Sequence, residues 1–292
     1  NPLQRNKIKM CFYRTVMINF IGSINDGSLK IGEIHFCREN YRDFKLEKLP
    51  GFAKKIFKYL WMRQLISNIR KLDKFVVLTN EDKQKWNEID QNKIMTIYNP
   101  VSSSSQQFSS CENKRVIAAG RYSLEKGFDL LTEAWKYVNE KHPDWTLHIY
   151  GDGDRTDLEK RINRLKLTNS FIANGKTNAI TEKYLESSIF VLSSRWEGMP
   201  LVLIEAMSLG VAPVSFACPS GPRDIITHGI DGLLVENGNI EMLAENICYL
   251  IENEEKRKEM GRNARESVKR FDAKVIMSQW KELFEMLIIE KS

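Results

Sequence analysis

From residue 114 onward, short apolar runs alternate with longer stretches whose apolar residues recur at helical spacing. Residues 115–120, 146–150, 171–173, 189–192, 212–216 and 232–235 read as strands. Between them, 126–141, 154–167, 181–187, 201–209 and 223–228 read as helices, and further helices run from 240 to the C-terminus with breaks near Asn253 and Phe271. Strands that each hand over to a helix predict an α/β fold, a parallel sheet covered by helices on both faces.

The first hundred residues are less regular. Residues 30–36, 74–79 and 93–98 read as strands. The stretch 51–72 between the first two is basic and amphipathic: Phe52, Ile56, Leu60, Leu65, Ile66 and Ile69 recur near helical spacing, with Lys54, Lys55, Lys58, Arg63 and Arg70 among them. It reads either as a domain helix with a solvated basic face or as a segment that docks on an anionic bilayer. Asn99-Pro100 and the serine-rich residues that follow predict an interdomain linker over 101–113. At 292 residues the chain is long enough for two domains with separate cores. The expected division is a first domain over 1–100, the linker, a second domain over 114–271, and a C-terminal helix over 272–292 that packs back toward the first domain.

Composition narrows the class. A hydrophobic share of 42% and a charged share of 28% are ordinary for a globular protein. Cys11, Cys37, Cys111, Cys218 and Cys248 are odd in number and scattered, which argues for a reducing compartment and against a disulfide frame or zinc site. No apolar run is long enough to span a bilayer and no signal peptide is visible, so a cytoplasmic location is expected, with peripheral contact at the inner face of the membrane. The net charge of +6 is uneven: residues 1–100 carry 19 Lys and Arg against 10 Asp and Glu, the remainder 25 against 28. A basic first part suggests an anionic partner, either a membrane surface or a phosphorylated substrate; no nucleic-acid motif accompanies it.

The densest chemistry lies at 189–210. A buried strand turns into a helix led by Pro200 and closed by Gly210, which aims the free backbone N–H groups of the stretch from Gly198 to Val202 at one anion-favouring spot. Two carboxylates flank it, Glu197 in the turn and Glu205 inside an otherwise apolar helix. Glu197 reads as a helix N-terminal charge or as a ligand contact. Glu205 reads as a satisfied core acid or as an acceptor for paired ligand hydroxyls. The segment Glu197-Gly-Met-Pro-Leu-Val-Leu-Ile-Glu205-Ala-Met-Ser-Leu-Gly resembles the E-x7-E segment of glycosyltransferase family 4, retaining enzymes of the GT-B fold.

Other loops extend that likeness. Gly120-Arg-Tyr-Ser-Leu-Glu-Lys-Gly127 joins a strand to a helix, and the resemblance implies that Arg121 and Lys126 contact a donor diphosphate. Gly151-Asp-Gly-Asp154 lacks the third glycine of a dinucleotide fingerprint, because position 156 is Thr; read as Asp-x-Asp it would suit a metal site. The family resembles this Gly-x-Gly without using a metal, so Gly151 and Gly153 are expected beside the nucleotide, with Lys176 along its base. The segment 218–224 is similar to the loop of bacterial surface-polysaccharide enzymes. His35, a lone histidine at a strand end, reads as a satisfied residue, or by resemblance as one that faces the sugar. No Ser/His/Asp set and no metal-spaced cluster occurs.

The resemblance therefore implies two Rossmann-like domains with parallel sheets, and a metal-independent retaining hexosyltransferase-type enzyme. It would move a sugar from a nucleotide-diphosphate donor, a UDP-sugar favoured, to a hydroxyl on a glycan or lipid-linked acceptor in polysaccharide or glycolipid assembly. No cofactor beyond the donor is expected. Arg121, Lys126, Glu197 and His35 are the expected catalytic residues; Gly151, Gly153, Lys176, Gly198, Met199, Pro200, Leu201 and Glu205 the expected donor-binding ones. A nucleotide-sugar-binding fragment without turnover and a nicotinamide-dependent oxidoreductase are the alternatives. The chain starts at Asn1, and residues 1–31 offer no strand followed by a Gly-rich loop and helix. An incomplete first domain with an exposed sheet edge and weak transfer is the resulting expectation.

Overall fold

The computed structural model describes residues 8–11, 18, 20–21, 24–41, 50–101 and 106–290. The chain divides into two units, one of residues 1–100 and 273–292 and the other of residues 101–272. Every strand pair in both is parallel.

The first unit is built on four strands in sequence order: β1 (Ile8–Cys11), β2 (Leu29–Glu33), β3 (Lys74–Val77) and β4 (Ile94–Thr96). β1 falls in the stretch where no opening strand is legible, because four residues including a lysine are too few to declare a pattern. β2 is shorter than expected and ends at Glu33, so His35 lies beyond the strand rather than at its end. Among the described residues, α1 (Gly51–Ile69) lies between β2 and β3 and the unanticipated α2 (Asn80–Lys85) between β3 and β4. Thr79 caps α2 by accepting from Asp82 N at 3.0 Å. One apolar cluster gathers Ile18, Leu65, Ile69, Phe75 and Trp86; Phe75 and Trp86 meet edge to face at 5.1 Å. A second joins Leu29, Ile31, Val76 and Ile97 to Ile276, Trp280, Leu283 and Leu287. Those last four lie on α10 (Ala273–Glu290), the final helix of the chain. In α1 only Leu65, Asn68 and Ile69 are buried. The apolar residues of its first half are not covered by the core, since Phe52, Ile56 and Leu60 are exposed.

The second unit alternates strictly. Its strands are β5 (Arg115–Ala119), β6 (Thr146–Tyr150), β7 (Phe171–Asn174), β8 (Ile189–Leu192), β9 (Ala212–Phe216) and β10 (Leu233–Val235). Between them run α3 (Phe128–Lys141), α4 (Thr156–Arg164), α5 (Ile180–Leu185), α6 (Leu201–Ser208) and α7 (Pro222–Ile225); α8 (Ile240–Glu252) and α9 (Glu254–Ser267) follow. The sheet order β10-β9-β8-β5-β6-β7 reverses direction between β5 and β8. β8 and β9 are buried at every position, which explains their unbroken apolar character. The core packs Trp135, Leu131, Leu147, Val191, Val214 and Ile247 with their neighbours. Part of the expected linker is fastened to this unit: Ser109 N donates to Leu209 O at 2.7 Å, and Ser109 Oγ to Ser187 O at 2.6 Å. Residues 102–105 lie outside the described ones.

Candidate functional site

Open parallel sheets gather ligands at the carboxyl ends of their strands, in the crevice where the strand order reverses. Here that point lies between β5 and β8, and the loops that follow them carry Lys126 and Glu197. Gly127 makes their approach possible. Its φ of 63° is left-handed, and a Cβ there would stand 2.0 Å from Ser193 O. Ser193 Oγ donates to Lys126 O at 2.9 Å, joining the two loops directly.

Across this seam the Lys126 ammonium donates to Glu197 Oε1 at 2.8 Å, with 15% and 9% of the two side chains exposed. Ser194 Oγ donates to the same oxygen at 2.6 Å. The carboxylate is therefore oriented by two donors, and an ammonium with three protons can still serve another anion. Arg195, one residue on, grips Asp129 through both guanidinium NH groups at 2.8 and 2.7 Å and reaches Leu124 O. That fork holds the Asp129 carboxyl below its ordinary range and fixes the β8 loop to the start of α3. Ser194 and Arg195 are missing from the sequence reading; a hydroxyl three residues before a turn carboxylate is the only hint of the first, and nothing local signals the second.

The other expected residues fall around this pair in varied settings. Arg121 is turned to solvent, with 73% of its side chain exposed, and pairs with Glu125 at 2.5 Å. Gly151 follows β6 so closely against Gly120 that a Cβ would sit 1.8 Å from Gly120 O. Gly153, at φ 116°, backs onto Tyr122. Tyr122 binds these loops together: its hydroxyl donates to Asn174 O at 2.5 Å and to Ile149 O at 3.2 Å, and burial pushes its pKa up to about 12. Lys176 is exposed in the loop after β7. Asp152 accepts from Gly153 N and Asp154 from Thr156 N and Oγ1, both local turn bonds. Among the described residues no group of three or more His, Cys, Asp or Glu could hold a metal.

Gly198 continues the turn, Met199 and Pro200 are buried, and α6 begins at Leu201 with Pro200 as its N-cap rather than its first residue. The loop 218–221 packs on this turn, since Glu197 N donates to Pro219 O at 3.1 Å. Glu205 is half-buried in α6, and burial raises its carboxyl above the usual glutamate range. The buried Tyr184 hydroxyl, on α5, has no hydrogen-bond partner among the described residues; burial and the Glu205 charge both push its pKa up. His35 belongs to the first unit, with Nε2 3.2 Å from Glu33 Oε1.

Residues 103–267 match the family described as glycosyl transferases group 1. Over 212 residues the chain is 34% identical to an uncharacterized glycosyltransferase of Haemophilus influenzae, a match covering 72% of this chain and 60% of that protein. It is 31% identical to the poly(ribitol-phosphate) alpha-N-acetylglucosaminyltransferase of Staphylococcus aureus, over 87% of this chain and 50% of the relative. The chain thus spans roughly half to three fifths of the length of these relatives. Among solved structures it is similar to a S. aureus TarM mutant in complex with fondaparinux, alpha-GlcNAc-glycerol and UDP, with TM-score 0.74 and 29% identity, covering 89% of this chain and 51% of that one.

Proposed function

Because the chain belongs to the glycosyl transferases group 1 family, we propose that it is a retaining glycosyltransferase that uses a nucleotide-diphosphate sugar. Its fold is of the GT-B type, α/β with parallel sheets. The donor is a UDP-sugar and the acceptor a hydroxyl of a glycan or lipid-linked glycan, built on the cytoplasmic side into a surface polysaccharide or glycolipid. The names of the relatives support this reading, one acting on poly(ribitol-phosphate) and one solved with UDP. Membership in a transferase family weighs against the oxidoreductase alternative.

The observation that carries the proposal is the Lys126–Glu197 pair at the reversal point of the sheet. As the bond from the anomeric carbon to the diphosphate breaks, negative charge grows on the leaving oxygens. Lys126 then stabilises that charge, together with Arg121 and the N-terminus of α6. Glu197, relieved of part of its ion pair, accepts hydrogen bonds from the sugar's hydroxyls and orients it. Glu205 accepts from the paired hydroxyls of the ribose. Gly151 and Gly153 leave room for close approach of the nucleotide, and Lys176 lies along its base. Two cations and a helix terminus match the diphosphate, so no metal takes part.

Thermal unfolding with a panel of nucleoside diphosphates and nucleotide sugars, each with and without a chelator, tests this reading. UDP and one UDP-sugar are expected to raise Tm equally in both conditions. Protection that vanishes with chelator and returns with magnesium or manganese would overturn metal independence, and protection by NAD alone would overturn the transferase reading.

A further inference from the structure

The first half of α1 is a helix with an unusual surface. Phe52, Ile56, Tyr59 and Leu60 are 72%, 51%, 63% and 50% exposed. Their spacing, i, i+4, i+7 and i+8, puts all four on one stripe about 100° wide. Arg63 continues that stripe one turn further on. The helix carries four cations, Lys54, Lys55, Lys58 and Arg63, and no acid. Lys54, Lys55 and Arg63 make no ion pair among the described residues.

Along the cationic side runs a groove of about 910 Å³. It is lined by six cations, among them Lys55, Lys58, Arg63 and Arg70, against two acids, Glu39 and Glu88. Both acids are already engaged, Glu39 by Lys85 at 3.1 Å and Glu88 by Arg38 at 2.5 Å. The groove therefore presents a net positive wall beside an exposed aromatic and aliphatic stripe. The donor-binding loops belong to the other unit.

We infer that α1 and the groove beside it dock on an anionic phospholipid bilayer. The stripe enters the boundary between headgroups and acyl chains, and the lysines and arginines meet lipid phosphates. An apolar stripe alone would fit many partners. Four cations without an acid on the same helix, continuous with a basic groove, select a surface that is apolar just below a sheet of negative charge. No described helix is long and apolar enough to cross a membrane, so α1 lies on the bilayer rather than through it. The inference is independent of the donor site, and a chain that binds vesicles but no nucleotide leaves it standing.

The test is flotation of the full chain with vesicles containing phosphatidylglycerol and with vesicles of phosphatidylcholine alone, at low and high salt. Binding to the anionic vesicles that weakens with salt is expected. Each cation is worth up to about 1 kcal/mol, roughly fivefold, so Lys54→Ala/Lys55→Ala/Lys58→Ala weakens partition on the order of a hundredfold. Phe52→Ser/Ile56→Ser/Leu60→Ser abolishes vesicle binding while leaving Tm and the UDP shift unchanged, because these side chains support no core. No binding to anionic vesicles at low salt would overturn the inference. So would binding of soluble inorganic polyphosphate as tight as vesicle binding and insensitive to the apolar variant, which would make the groove a polyanion site. A dimer dissociated by the apolar variant, without vesicle binding, would assign the stripe to self-association instead.

Discussion

Lys126 and Glu197 sit 2.8 Å apart on loops of different strands, so replacing either one leaves the other's charge largely buried with less to hold it. Lys126→Ala is expected to weaken UDP binding by roughly 1.5–3 kcal/mol, one to two decades in Kd, read by calorimetric titration. With Glu197→Ala in a double-mutant cycle, a coupling of about 0.5–3 kcal/mol is expected; additivity would show that the two act separately on the ligand. Glu205 makes a different kind of prediction. Its folded pKa is raised above the ordinary 4.5 by burial. The stability linked to its neutral form is therefore fully present below pH 4.5 and is lost as pH rises through the folded value. Glu205→Gln removes the charge and keeps the shape. It should raise Tm above that window, match the parent below pH 4.5, and weaken UDP binding. Unfolding curves across acid to neutral pH, with and without UDP, check all three; unchanged UDP affinity would make Glu205 a structural acid only.

At the scale of elements, the strands and helices of the second unit were nearly all legible, because β8 and β9 are buried on both faces and read as uninterrupted apolar runs. Their ends were not. The helix expected from 126 opens as a short 3-10 turn, Leu124–Lys126, and becomes α-helical only at Phe128, since Gly127 is left-handed. The same glycine decides where Lys126 points, a fact that depends on Ser193 some 66 residues away and that no local pattern contains. The candidate acids and cations could be named from spacing, but the fork of Arg195 on Asp129 and the Ser194 bond to Glu197 are tertiary and were invisible. β1 is too short to be legible, and the sequence leaves the first half of α1 between a domain helix and a bilayer-docking segment, because periodicity shows that a stripe exists and not what covers it. Gly151→Ala tests how tightly the loops after β5 and β6 are set. With 1.8 Å between a new Cβ and Gly120 O, backbone must shift. A loss of about 1–3 kcal/mol in urea unfolding is expected, together with weaker UDP binding. Full stability with full affinity would mean that the two loops yield without consequence.

At the scale of the molecule, the first unit is discontinuous: its sheet comes from residues 8–96 and the helix over one face of it from residues 273–290. Trp280, 7% exposed, joins Leu29, Ile31, Val76 and Ile97 in that second cluster. Trp280→Ala should destabilise the first unit by about 3–5 kcal/mol and leave UDP affinity in the second unchanged. Two-probe urea unfolding, one phase sensitive to UDP and one not, separates these effects; an equal loss in both phases would contradict the division into units.

That interrupted path has a consequence during synthesis. Chains emerge from the ribosome N-terminus first, and domains close as units when their last element is available. The four strands of the first unit leave the tunnel early, yet the side chains that cover one of their faces, Ile276 to Leu287, are translated after everything in the second unit. Throughout the synthesis of the second unit the nascent protein therefore carries an unfinished sheet, a natural client for a chaperone that holds apolar strands. Ribosomes stalled on residues 1–272 followed by an unstructured linker long enough to clear the exit tunnel should display a protease-resistant second unit beside a protease-sensitive first. Equal resistance of both at that point would mean that the sheet is stable without its closing helix.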